Sequence, residues 1–222
     1  MVYRIVIAGA GIVGNSIAFF LARKYLAASS SAANWNLPNN ATEISVTLVD
    51  VVGICPAASA KAGGFLAKKW RDQTELQNMS RLGFELHELL AQNLEGYALD
   101  ERNNMTKNTI TDYRHLTAKA AAVDGTIQQH SSKKLVGAKT MEWIEESVLL
   151  GEQSLGEEKH IAQVHPKKLC NQLFEYSSSK GVELKIGKVV EVMVGRNVKD
   201  NSNEETSTAT PRVTKIKFED GT

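Results

Sequence analysis

Three glycines, Gly9, Gly11 and Gly14, fall within the stretch IVIAGAGIVG near the N-terminus. Spaced as GxGxxG, they suit a backbone that must turn tightly, approach a phosphate closely and pack a helix against a strand. The implied chemistry is the holding of a pyrophosphate. Free N–H groups at a helix start face the anion, and the helix dipole favours negative charge there. Asp50 closes a second apolar run, EISVTLVD, and is the acid expected to bond a ribose hydroxyl. It stands farther from the glycines than the roughly 20 residues usual for such an acid. The Asn- and Ser-rich stretch from Ala27 to Thr42, containing Pro38, accounts for the excess as an insertion at the far end of the sheet from the ligand.

These features imply a dinucleotide and leave its kind open, because NAD and FAD share the adenosine diphosphate half. A nicotinamide dehydrogenase should continue at once with another helix and a third parallel strand. This chain continues instead with PAASAKAGGFLA, whose small residues and adjacent Gly63 and Gly64 suit backbone passing beneath something large and flat. That favours a flavin, with an NAD-dependent dehydrogenase as the lesser alternative.

The elements that must position these residues follow from periodicity. VYRIVIAG reads as a buried strand, and a helix begins near Ile12, with Ile17, Phe20, Leu21 and Tyr25 at helical spacing. EISVTLVD is the second strand of a βαβ unit. Leu76, Met79, Leu82, Leu86, Leu89, Leu90 and Leu94 predict an amphipathic helix packing on a core. TDYRHLTAKAAAV reads as a strand, and the polar stretch from Asp124 to Lys134 interrupts any pattern. A further helix starts at His165–Pro166 and stops at Gly181. VELKI, GKVVEVMVG and RVTKIKFEDGT read as strands, the last two joined by a solvated hairpin loop, KDNSNEETSTATP.

Composition bounds the partners. The 222 residues, 42% hydrophobic, suffice for one sizeable core or for one domain and part of another. Lysine and arginine number 26 against 25 acids, a net charge of +1, so nothing global points to nucleic acid or an anionic membrane. The N-terminus imitates a signal peptide, but Gly9, Gly11 and Gly14 interrupt its apolar stretch. No run of 18 apolar residues occurs, so no membrane span is expected and the expected location is cytoplasmic. Cys55 and Cys170 lie far apart in the chain, without CxxC or metal spacing, and read as two reduced thiols.

Taken in order, GAGIVG, the acid closing the second strand and AASAKAGGFLAKKW resemble the FAD-dependent amino-acid oxidases of the D-amino-acid oxidase and glycine oxidase type. SAKAGGFLA and IAQVHPKKL are especially similar to a fungal and plant branch of oxidoreductases of this kind. The likeness runs from about Arg4 to the end, weakening across Ala27 to Thr42 and from Asp100 to Gly156.

The resemblance implies an α/β fold: a Rossmann-like FAD-binding domain of the GR2 type with the beginning of a mixed-sheet substrate domain. Residues 1–95 would supply the βαβ unit, flavin loop and following helix, 96–160 the start of the substrate domain, and 161–222 a return to the FAD-binding domain. Gly9, Gly11, Ile12, Val13 and Gly14 would hold the pyrophosphate, and Asp50 with Val51 the adenosine ribose. Ala58 and Ser59 would lie along the phosphates, Ala62, Gly63 and Gly64 beside the flavin ring, and Val189 against adenine through its backbone. The substrate implied is a small amine or amino acid, with oxygen as acceptor. Lys68, Lys69 and Pro56 depart from the pattern near the flavin.

The family's carboxylate clamp and the last segment that closes on the flavin have no counterpart before Thr222, so the C-terminal half is expected to be missing and the chain reads as truncated. Its catalytic residues are therefore unassigned, its oligomeric state is open, and a non-catalytic remnant that binds a partner is the alternative. Lys61 could place positive charge near the flavin. His87, His165 and Trp70 read more readily as helix-surface, capping and packing residues, and Tyr113 with Arg114 matches only a loose family position.

Overall fold

The computed structural model describes residues 2–26, 43–95, 110–123, 144, 148–196 and 211–220. The Ala27 to Thr42 insertion, the Asp124 to Lys134 stretch and the loop between the last two strands lie outside them, save for Pro211 at that loop's end. Contacts divide the chain into two compact units, Met1–Ala62 with Pro166–Thr222, and Gly63–His165.

The first unit is built on a parallel sheet. Strand β1 (Val2–Ala8) pairs with β2 (Glu43–Asp50), in register from Val2 opposite Glu43 to Ala8 opposite Val49. Strand β8 (Glu183–Ile186) pairs with the far side of β2, giving the order β1-β2-β8. Central placement explains why Val46, Leu48 and Val49 are all buried, the continuous pattern of a parallel strand covered on both faces. Helix α1 (Ile12–Leu21) passes directly into a π-helical turn, Ala22–Leu26. Ala18 of the helix and Ala22 of the turn meet Ile7, Val46, Leu48 and Val182 in the core. Helix α4 (Pro166–Ser179) packs beside α1, with the Phe19 and Tyr176 rings 4.8 Å apart. Proline opens α4 where its missing N–H costs nothing, and Gly181, at φ +97, follows its end. Strands β9 (Val189–Arg196) and β10 (Pro211–Phe218) form the expected antiparallel pair.

The expectation that the first strand is buried is corrected. Val2, Tyr3 and Val6 are exposed, because β1 stands at the sheet edge with no strand on its outer side among the described residues. The outer face of α1 shares this openness. Val13, Ile17 and Phe20 are exposed at 70%, 46% and 54%.

The second unit holds a short antiparallel sheet in the order β3 (Phe65–Ala67), β7 (Ile161–Gln163), β4 (Arg114–His115). A hairpin of β5 (Ala118–Val123) and β6 (Leu149–Gly156) adds a separate pair. Helix α3 (Gln77–Glu95) is where leucine periodicity predicts it, but the side it buries differs. Phe84, Ala91 and Leu94 are buried, whereas Leu76, Met79, Leu82, Leu86 and Leu89 are exposed. An apolar stripe reports that a face exists; it does not report that the unit's few other elements cover it.

Candidate functional site

The site grows from the turn between β1 and α1. After Ala8 the chain takes φ +100 at Gly9, a left-handed conformation that disfavours any residue with a Cβ, and the Gly9 N–H donates to the Val49 carbonyl at 2.7 Å. Gly11 is the N-cap of α1 and carries no side-chain cap of its own. Ser59 supplies one from 47 residues away, accepting the Ile12 N–H at 3.1 Å. A Cβ at Gly11 would stand 3.1 Å from the Ser59 hydroxyl oxygen. Gly14 has the strictest requirement: a Cβ there would run into the Gly9 carbonyl oxygen and stand 3.3 Å from Leu48 Cδ1. Thus the first glycine makes the turn, the second admits Ser59, and the third seats the helix on the sheet.

Asp50 braces this turn from the adjacent strand. Its Oδ2 accepts the Ala10 N–H at 2.9 Å, while Oδ1 accepts Val52 and Gly53 N–H groups at 3.0 and 3.3 Å. Burial opposes the charge, but N–H groups of Val52, Ala10, Gly53 and Val51 together hold its carboxyl below the usual Asp range. An ionised carboxylate offers about four lone-pair sites, two on each oxygen; Oδ2 accepts the Ala10 N–H and keeps capacity for a hydroxyl. The Asp50 carbonyl accepts the Gly187 N–H at 2.9 Å, which fixes the approach to Val189.

Asn15 is the residue sequence reasoning missed. It is fully buried, and its Nδ2 donates to the carbonyls of Ala10 and Gly11 at 2.6 and 3.0 Å, locking the glycine turn from inside the helix. The available signal was an amide directly after the third glycine, too polar for a buried helix face unless it had backbone to hold.

The structure therefore brings Gly9, Gly11, Ile12, Val13, Gly14, Asp50, Val51 and Ser59 around one turn of the first unit. Ala58 sits exposed at the start of α2 (Ala58–Lys61), and Ala62 ends that segment. Gly63 and Gly64 belong to the second unit. Gly64 needs its left-handed φ of +67, and its carbonyl accepts the Val164 N–H. Gly63 is exposed, and among the described residues nothing lies within 4 Å of a Cβ placed there. A requirement for glycine at Gly63 would come from outside the described residues.

The remaining candidates resolve individually. His87 Nδ1 meets the Gly83 carbonyl on its own helix at 2.7 Å, and Trp70 Nε1 donates to the Leu155 carbonyl at 2.9 Å. The His165 N–H donates to the Thr111 carbonyl. Lys68 pairs with Glu85 at 2.7 Å, so its charge is met within the second unit, while Lys61 and Lys69 are exposed. Tyr113 has a buried hydroxyl with no hydrogen-bond partner among the described residues; burial, assisted by Glu88, pushes it up to about 12. Arg114 bonds Gln163. Among the described residues no group of three or more His, Cys, Asp or Glu could hold a metal, and no helix is long and apolar enough to cross a membrane.

Residues 4–214 match the model of the family described as FAD dependent oxidoreductase. The chain belongs to that family. The family is FAD dependent, in line with the flavin reading of the segment after Asp50. A Schizosaccharomyces pombe protein named only as an oxidoreductase is 30% identical over 175 residues, 78% of this chain and 38% of that protein. Glycine oxidase from Bacillus cereus superposes with a TM-score of 0.60 at 18% identity, covering 99% of this chain and 53% of that one. Iminodiacetate oxidase from Chelativorans gives 0.56 at 15% identity, with 99% and 52% covered. L-amino acid deaminase from Proteus myxofaciens gives 0.54 at 16%, with 98% and 42%. These likenesses share the fold, and this member of the family spans about half the length of the solved oxidases it matches.

Proposed function

We propose that the first unit binds the adenosine diphosphate half of FAD and that the protein serves the oxidation of a small amine or amino acid, with oxygen as electron acceptor. The observation that carries this reading is the glycine turn: a helix N-terminus held open by Gly9, Gly11 and Gly14, with Asp50 bonded across to Ala10. FAD, when bound, supplies the two-electron acceptor for a hydride leaving the carbon that bears the amine. The chain's own residues bind and orient it. Gly9, Gly11, Ile12, Val13 and Gly14 hold the pyrophosphate, the N–H groups of Gly11, Val13 and Gly14 facing it, and Ser59, already on the Ile12 N–H, lies beside it with Ala58. Asp50, kept charged, accepts a ribose hydroxyl next to Val51. Ala62, Gly63 and Gly64 give the ring a surface without side chains, and Val189 meets adenine through its backbone. In this reading residues 1–95 and 161–222 serve the cofactor, and 96–160 open the substrate domain.

The test is direct. The purified chain is mixed with FAD, passed over a desalting column and scanned in the visible. Retained flavin absorbance supports the reading; a flavin-free protein, or one stabilised by NAD and not by FAD, contradicts it.

One observation favours a second reading, a flavin-fold protein without activity that acts by binding a partner. Val13, Ile17 and Phe20, with Ile12, Leu21 and Tyr25, line an open apolar groove along α1. This reading expects association in solution and no peroxide on adding amines.

A further inference from the structure

Cys55 and Cys170 are 115 residues apart in the chain and 3.0 Å apart at sulfur. Both are free, and both are buried, at 1% and 0% exposure. The sequence reads them as two reduced thiols without paired spacing, and both are free here; what their spacing does not show is that the fold makes them neighbours.

Their placement is specific on both sides. Cys55 adopts φ 52, left-handed backbone that is costly for a residue with a Cβ, and its N–H is held by the Ala10 carbonyl at 2.9 Å. That conformation turns its sulfur into the interior of the first unit. Cys170 lies on the buried face of α4 with Leu169 and Leu173. A disulfide bond is about 2.05 Å long, so closing the gap needs a shift of about 1 Å.

Two other uses of the pair fail on chemistry. Two sulfurs are half a tetrahedral metal set, and no third ligand of the His, Cys, Asp or Glu type joins them among the described residues. A nucleophile needs thiolate, but burial and the neighbouring Cys55 thiol push Cys170 up to about 12.

We propose that Cys55 and Cys170 form a reversible intramolecular disulfide, a modification site that ties the loop between β2 and α2 to helix α4. Two S–H bonds break and one S–S bond forms. Two protons leave, and the electron pair reduces a low-molecular-weight disulfide to two thiols through a mixed disulfide. Because both sulfurs are buried, exchange enters during folding or by local opening. The tethered loop carries Val52 and Gly53, which bond Asp50, and leads to Ser59, which caps α1. With both thiols free the clamp around the glycine turn is already formed, and oxidation fastens it covalently.

The chain has two cysteines, so the count is unambiguous. The full chain is unfolded, reduced and refolded in glutathione buffers from reducing to oxidising, then trapped with an alkylating reagent and analysed by intact mass and peptide mapping. Expected is a monomer lighter by two hydrogen atoms, with residues 55 and 170 joined and the thermal midpoint raised by on the order of 5 °C or more. Free thiols, glutathione adducts or intermolecular dimers across the whole range would overturn the proposal. Cys55→Ser and Cys170→Ser must each abolish the redox-dependent rise; a single variant that keeps it overturns the proposal equally. No step of this test depends on flavin.

Discussion

The Ala10 N–H donates to Asp50 Oδ2 at 2.9 Å, so the acid ending β2 reaches across the sheet to the turn ending β1. With Val52 and Gly53 on its other oxygen, Asp50 is a structural brace as well as a candidate ribose ligand. Asp50→Asn should cost about 1–3 kcal/mol, because an amide nitrogen then faces a backbone donor. Urea unfolding followed by circular dichroism checks it, and an unchanged midpoint would deny the brace.

The same residue sets a pH dependence. Its folded-state pKa is lowered from 3.8, so its stabilisation is full above that ordinary value and fades as pH falls through the folded value. Asp50→Asn should therefore be clearly weaker than wild type at neutral pH, with the gap narrowing as pH falls below the ordinary Asp value of 3.8. A constant gap across that range would assign the effect to something other than the carboxylate charge.

Two glycines separate packing from ligand approach. Gly14→Ala places a Cβ into the Gly9 carbonyl and should cost about 3 kcal/mol or more. Gly63→Ala meets open space and should leave the thermal midpoint unchanged while weakening FAD binding by tenfold or so. Titration of both purified variants with FAD, beside melts without it, checks the pair; undiminished affinity in Gly63→Ala would remove the ring-facing role of that segment.

Ser59→Ala removes the acceptor of the Ile12 N–H, the only side-chain cap given to α1 among the described residues. The expected loss is about 1 kcal/mol, the usual worth of a capping hydroxyl. Chemical denaturation gives the figure, and Ser59→Thr should recover most of it.

What the sequence made legible was local. GxGxxG fixed the start of α1 at Ile12, and Pro166 and Gly181 bounded α4, because each signal acts through nearby backbone. What it hid was tertiary. Nothing in VYRIVIAG tells an edge strand from a central one, and the α3 leucines do not say whether anything covers them. The approach of Cys55 to Cys170 depends on β2, α2 and α4 together, and the Ser59 cap on a contact 47 residues long. Asp50 was legible as an acid in the right place, but its three backbone bonds were not.

The exposed groove of α1 gives a solution test of the second reading. Ile17→Lys with Phe20→Lys should lower self-association in sedimentation without lowering the melt, since both side chains already face outward. Unchanged association would place the contact elsewhere.

The turn from Gly9 to Gly14, braced by Asp50, is the proposed seat of FAD. Isothermal titration of the purified chain with FAD, with Asp50→Ala in parallel and NAD as the competing ligand, tests it most directly. Expected is saturable one-to-one binding of FAD, at least about tenfold weaker in Asp50→Ala and absent for NAD. No heat or fluorescence change with FAD in a folded chain, or equal binding by wild type and variant, would contradict it.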